Sequence, residues 1–315
     1  MKIVFLDAYT TVSDGLSLEL FNSLGDFKSY DDTLPTEVVA RAIDAEIVIT
    51  NKVVLDRSTI EKLQNLKLIC VAATGYNNID IQAATDNNIP VSNVKGYSTN
   101  GVAQHVFAQI LNAVHQIAYY DDEVRNERWN DEAKFCFYDH SIVDLKGKTL
   151  GIYGYGTIGK QVAEIGRAFG MTIIANTRTP KFDANVEFVS FEALCEKSDF
   201  ITLHASLSKE NEGIINYKTL KLMKKSVVII NTGRGGLIIE QDLANALIAE
   251  NIKYACLDVL NQEPPNSNNP LLSISNCSIT PHQAWASIES RTKLLQGVAG
   301  NIKRYIEGNG SYLNM

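Results

Sequence analysis

The chain has 315 residues, 45% of them hydrophobic and 21% charged, a balance that predicts a folded globular protein and excludes a disordered or fibrous one. Its formal net charge of −7, with no Lys/Arg-rich run, argues against nucleic acid or any other polyanion as a partner. The length exceeds what one hydrophobic core usually serves, so two domains are expected.

The amino terminus, MKIVFLDAYT, has one basic residue and an apolar run broken at Asp7. The run is too short for a secretory core or a membrane span and reads as a first strand. KIVFLD, AEIVIT and LKLICVAA then alternate with amphipathic stretches such as 55–65, and IPVSN at 89–93 reads as a further strand. That is the rhythm of βα units around a parallel sheet. Residues 99–120, TNGVAQHVFAQILNAVHQIAYY, are mostly apolar and helical in period, as expected of a helix joining two domains.

A second βα series begins at TLGIY (149–153) and runs through MTIIA, DFITLHA, SVVIIN and YACLDV to CSIT at 277–280. Its strands are continuous apolar runs, which a parallel sheet buried on both faces requires. The tail at 285–308 is helical again. The expected α/β architecture is therefore two doubly wound parallel-sheet domains. A Rossmann-type dinucleotide domain, 99–285, is inserted into a flavodoxin-like substrate domain made of 1–98 and 286–315. The five cysteines, Cys70, Cys136, Cys195, Cys256 and Cys277, form no CxxC pair, so neither a metal site nor a disulfide framework is signalled. They read as small buried side chains, and free thiols suit the cytoplasm.

Directly after TLGIY come Gly154, Tyr155, Gly156, Thr157, Ile158 and Gly159, then a helical stretch and another strand. This is GxGxxG in its strand–turn–helix setting: the first glycine for the turn, the second for close approach of a pyrophosphate, the third for helix–strand packing. The following strand should end on an acid that binds the ribose 2′-hydroxyl of NAD. Here the stretch reads Asn176, Thr177, Arg178, Thr179, Pro180, Lys181, with no acid before Asp183. A hydroxyl, an Arg and a Lys suit the 2′-phosphate of NADP, so the cofactor reading is NAD or NADP.

Three more segments follow strands of the second series: INTGRGG (230–236), LDVLNQEPP (257–265) and ITPHQAWAS (279–287). Reduction of a 2-keto acid needs a fixed cation for the substrate carboxylate, a proton donor for the developing alkoxide and a hydride source. Arg234 meets the first need with a planar fork. His282 meets the second, since histidine titrates near neutrality. Glu263 is of the type that orients an imidazole and favours its protonated form.

In these motifs, taken in this order, the sequence resembles the D-2-hydroxyacid dehydrogenase family over nearly its whole length. The resemblance implies that Arg234 binds substrate, His282 is the acid/base and Glu263 its partner. It further implies that backbone N–H groups near Thr74 and Gly75 bind the substrate carboxylate, that Asp258 and Thr232 meet the nicotinamide carboxamide, and that His204 lies by the adenine. VAATGYNNID, VKGYST and HQAWAS look most like glycerate dehydrogenases, also called hydroxypyruvate reductases. Expected substrates are hydroxypyruvate/D-glycerate or glyoxylate, and family members are commonly homodimers. Thr177 and Ser206 depart from the family pattern, which has an acid and a proline there. Two alternatives stand beside this reading: a dinucleotide-dependent binding protein without turnover, and a dehydrogenase of another D-2-hydroxy acid such as phosphoglycerate. A chain that stops at residue 315 leans away from the larger phosphoglycerate enzymes.

Overall fold

The computed structural model describes residues 1–131, 134–179 and 182–314. The chain divides into two compact units, Met1–Ser98 with Trp285–Met315, and Thr99–Ala284.

The first unit is built on five parallel strands, β1 (Lys2–Phe5), β2 (Asp26–Ser29), β3 (Ile47–Thr50), β4 (Leu68–Val71) and β5 (Val91–Asn93), in the order β2-β1-β3-β4-β5. Successive side chains of a strand point to opposite faces, so a run such as KIVFL needs cover on both. Val4, Leu6, Val48 and Ile69 face a core completed by Val38, Ala42, Ile60 and Leu63. Ile3, Phe5, Ile47, Ile49 and Leu68 face the other side and meet Leu294, Leu295, Val298 and Ile302. Those four residues share one stripe of the helix Ile288–Ile306, whose start is capped by the Ser287 side chain accepting the Ser290 N–H. Trp285 belongs to this unit and not to the nucleotide unit where the sequence reading put it. Its ring stands edge-on to Tyr97 at 6.3 Å and packs on the same cluster.

Among its described residues the second unit has seven parallel strands, β6 (Thr149–Tyr153), β7 (Thr172–Asn176), β8 (Glu187–Phe188), β9 (Phe200–Leu203), β10 (Val228–Asn231), β11 (Tyr254–Leu257) and β12 (Cys277–Ile279). Their order is β12-β11-β10-β9-β6-β7-β8, a Rossmann sheet extended by one strand. Leu150, Ile152, Val228 and Ile230 face the helix Thr99–His115 through Ala103, Val106, Phe107 and Ile110. Ile201, Leu203 and Ile229 face Leu243, Ala244 and Leu247 on the other side. The helix expected over 99–120 stops at His115, because Gln116 takes a left-handed φ of 48°, and a second helix runs from Ile117 to Arg125.

Cys70, Cys195 and Cys256 are buried as expected, whereas Cys136 is exposed: it lies in the solvent-facing stretch 134–142 rather than in a core. Among the described residues no helix is long and apolar enough to cross a membrane. Strand order reverses direction between β1 and β3 in one sheet and between β6 and β9 in the other, and parallel sheets take their ligands outside the strand ends at such points.

Candidate active site

The glycine-rich loop lies at the β6/β9 reversal. Gly154 has φ +100°, and a side chain there would collide with the backbone of His204 and Ala205, the residues continuing β9. Gly159 packs so tightly on the Gly154 carbonyl that it too has no room for a Cβ. At Gly156, by contrast, a Cβ would enter open space. The helix Thr157–Ala168 begins here, and its first bond runs from Lys160 N–H to the Gly156 carbonyl. The N–H groups of its first turn are thus available to an anion, reinforced by the helix dipole. An open face over Gly156 fits a dinucleotide pyrophosphate. We expect Gly156→Ala to keep the melting temperature of the parent while weakening NADH binding. Gly159→Ala should cost about 1–3 kcal/mol as an overpacking change, read by thermal unfolding.

Tyr155 does not face that opening: it is buried, edge-on to Phe188, and donates to Asp183 Oδ2 at 2.7 Å. Burial and that carboxylate push its phenol up to about 12. Asp183, the first acid after β7, is thereby engaged, also accepting the Asn185 N–H at 3.0 Å. Thr177 is half-buried and Arg178 exposed at the carboxyl end of β7, and among the described residues Arg178 makes no ion pair. Pro180 and Lys181 lie outside the described residues. His204 stands within 2.9 Å of Thr202 Oγ1 through Nε2, and desolvation pushes its imidazole down to about 3, so the ring is neutral. The Thr232 hydroxyl is buried and finds no partner among the described residues, an orphaned polar atom suited to a ligand.

The three catalytic candidates stand on neighbouring strand ends. Strands β10, β11 and β12 lie side by side, and the register continues past them: Asp258 N–H donates to Asn231 O, and Thr280 N–H to Leu257 O, each at 2.9 Å. His282 Nδ1 lies 2.6 Å from Glu263 Oε2. Since a carboxylate only accepts, Nδ1 carries the proton and Nε2 is left for a ligand. Glu263 is itself aimed, its Oε1 accepting the Leu260 N–H at 3.0 Å.

His282 has φ 51°, a left-handed conformation that costs a non-glycine residue on the order of 1–3 kcal/mol. Asp258 offsets this. Its carboxylate, 1% exposed, accepts the N–H groups of Gln283 and Ala284, both at 2.9 Å, and the Thr280 hydroxyl at 2.6 Å. Sequence reasoning gave Asp258 only to the cofactor and missed that it clamps the turn around His282; an acid directly after an apolar strand is the available signal.

Arg234 is placed by Asn231, whose side chain donates to the Arg234 carbonyl at 2.9 Å and accepts the Gly233 N–H at 3.0 Å. Gly235 abuts the backbone of Leu260, so the arginine loop lies directly against the glutamate loop. Arg234 Nη1 donates to Gly233 O at 2.7 Å, and among the described residues the guanidinium pairs with no carboxylate. A half-buried cation left so is available for an anionic ligand.

In the first unit, Thr74 and Gly75 follow β4. Thr74 Oγ1 donates to Val94 O at 2.9 Å, and the Thr74 carbonyl accepts Asn93 Nδ2 at 2.6 Å. The N–H groups of Thr74 and Gly75 have no protein acceptor among the described residues.

Residues 107–284 match the family model for the D-isomer specific 2-hydroxyacid dehydrogenase, NAD binding domain. A hydroxypyruvate reductase of Blautia hydrogenotrophica is 38% identical over 315 residues, covering 98% of each chain. A glycerate dehydrogenase of Methylorubrum extorquens is 38% identical over 310 residues, covering 98% of this chain and 96% of its own. Among solved structures, an acyclic imino acid reductase in complex with NADPH and D-Arg superposes with a TM-score of 0.88 at 32% identity, covering 99% of both chains.

Proposed function

The chain belongs to the D-isomer specific 2-hydroxyacid dehydrogenases, oxidoreductases dependent on NAD or NADP, and from that premise we propose that it reduces a small 2-keto acid, hydroxypyruvate or glyoxylate, to the D-2-hydroxy acid. The observation that carries this reading is the His282–Glu263 pair at 2.6 Å beside an arginine loop whose guanidinium pairs with no carboxylate among the described residues. That combination serves a substrate that is at once an anion and a proton acceptor; a binding protein without turnover has no use for an aimed acid/base.

The loop Gly154–Gly159 would hold the pyrophosphate, with His204 beside the adenine and Thr232 and Asp258 toward the carboxamide. The reduced dinucleotide, when bound, supplies a hydride to the keto carbon. Arg234 would hold a substrate carboxylate through its fork, and the resemblance to the family assigns the Thr74 and Gly75 N–H groups to binding of the substrate carboxylate. His282 donates the Nε2 proton to the keto oxygen as negative charge develops there. Glu263 keeps the Nδ1 proton in place and stabilises the charged imidazole before transfer. In oxidation the same nitrogen accepts the hydroxyl proton.

The test is absorbance at the reduced-nicotinamide band on adding hydroxypyruvate, glyoxylate, 3-phosphohydroxypyruvate or pyruvate, with NADH and with NADPH. Hydroxypyruvate or glyoxylate should give the highest kcat/KM; turnover confined to the phosphorylated acid would overturn the substrate assignment, and no turnover with any of them would restore the binding-protein reading. In the same assays Arg178→Ala should raise the KM for NADPH more than that for NADH, because only NADPH has a 2′-phosphate to pair. Equal effects would remove Arg178 from cofactor choice.

The reading extends to a cytoplasmic homodimer. Free cysteines suit a reducing compartment. Ile117, Trp129, Phe135, Tyr138 and Ile142 are exposed on one stretch of chain, a better candidate for contact with a second copy than the helix Thr99–His115, whose apolar side is taken up within its own unit.

A further inference from the structure

The β1/β3 reversal of the first sheet is the place where a fold of this strand order binds its ligand. Here the protein fills that place with a carboxylate of its own. Leu6 N–H still donates to Ile49 O at 3.0 Å. The next residue, Asp7, is 7% exposed, and its Oδ1 accepts the Asn51 N–H at 2.7 Å while Oδ2 accepts those of Lys52 at 2.5 Å and Val53 at 2.9 Å. Successive backbone N–H groups converging in this way form an anion-binding concavity. Asp7 is its resident anion, and an acceptor-only group is required, since an amide would turn a donor toward N–H groups.

The loop so fixed is tied to both ends of the segment carrying Thr74 and Gly75. Asn51, 3% exposed, donates through Nδ2 to Ala72 O at 2.6 Å, just before it. Asn78, just after it, donates through Nδ2 to Val53 O at 3.0 Å. Residues 73–77 are therefore slung between two anchors on the 51–53 loop, and the shape of that loop is set by Asp7.

We propose that Asp7 is a positioning residue for substrate binding: its carboxylate sets the 51–53 loop, which through Asn51 and Val53 holds the Thr74 and Gly75 N–H groups where they meet the substrate carboxylate. The inference rests on the assignment of those N–H groups made above. It separates Asp7 from the chemistry, since the residue acts only through backbone that it orients, and from the dinucleotide, whose loop belongs to the other unit.

The experiment is steady-state reduction of hydroxypyruvate by the full chain, with inhibition by oxamate, an unreactive keto-acid analogue, and NADH binding followed by fluorescence. Asp7→Asn and Asn51→Ala should each raise the KM for hydroxypyruvate and the Ki for oxamate roughly tenfold or more, the loss expected for a charge-assisted hydrogen bond, with kcat and the NADH Kd little changed. A merely structural residue would lower the melting temperature without this split. A folded Asp7→Asn enzyme with the parent's KM and Ki overturns the proposal, and if that variant does not fold, Asn51→Ala decides on the same readout. Gly75→Pro removes one of the N–H groups directly. If it raises KM while Asp7→Asn does not, positioning by Asp7 fails alone; if it leaves KM and Ki untouched, the carboxylate role of the loop fails and the proposal with it.

Discussion

His282→Ala is expected to lower kcat in reduction roughly 10²- to 10⁴-fold, the usual contribution of a positioned general acid, with NADH affinity almost unaltered. The imidazole is oriented at one nitrogen by Glu263 at 2.6 Å and at its backbone by the Asp258 clamp, so it is preorganised before substrate arrives. In the proposed role its contribution would be realised in the transition state, when the keto oxygen gains charge, and kcat and kcat/KM should therefore fall together. Glu263→Gln keeps the shape of the pair but removes the charge and places an amide at Nδ1, so it should fall between parent and His282→Ala. Single-turnover hydride transfer, followed at the reduced-nicotinamide band, checks both variants. A His282→Ala enzyme within a few-fold of the parent would overturn the acid assignment, whereas one that had lost NADH binding would point to collapse of the 280–284 turn instead.

Arg234→Ala should be of similar size and different in kind. Two charge-assisted hydrogen bonds at about 1.5–3 kcal/mol each correspond to roughly 10²- to 10⁴-fold in kcat/KM. Because the carboxylate is present in both ground and transition states, much of this should appear as a raised KM. Arg234→Lys retains the charge without the fork and should recover only part of the loss. The control is NADH affinity, which should be that of the parent in both variants, since the glycine loop lies at the β6/β9 reversal and not on β10. An Arg234→Ala enzyme with undiminished kcat/KM would transfer the carboxylate to another cation.

Most strands were legible as apolar runs because the parallel sheets are buried on both faces, and a run such as IVIT or VIIN has no other use. β2 and β8 were not, and both are edge strands: Asp26–Ser29 is largely exposed and Glu187–Phe188 has two residues, so neither needed an apolar run. The break at Gln116 was also invisible, since one residue turned to left-handed φ leaves the helical period intact on either side. At the site, the residue types and their order after strands announced Arg234, Glu263 and His282. The residues that aim them did not announce themselves. Asn231, the Leu260 N–H and Asp258 work through backbone groups, which every sequence has alike.

The sequence by itself therefore determined the fold class, the glycine turn after β6 and the residue types that come together at neighbouring strand ends, because burial on two faces, a glycine turn and a titratable side chain are each properties of local composition. Only the tertiary structure decided that Tyr155 turns inward to Asp183, that Trp285 packs with the first unit, that Asp258 clamps the turn of His282, and that Asp7 fills the anion nest of the first sheet. Each of these depends on which carboxylate or ring lies within hydrogen-bonding or packing distance of a group far away in the chain, Asp7 meeting Asn51 across 44 positions and Asp258 meeting Ala284 across 26, and such distances are fixed by strand register rather than by any residue's neighbours in sequence.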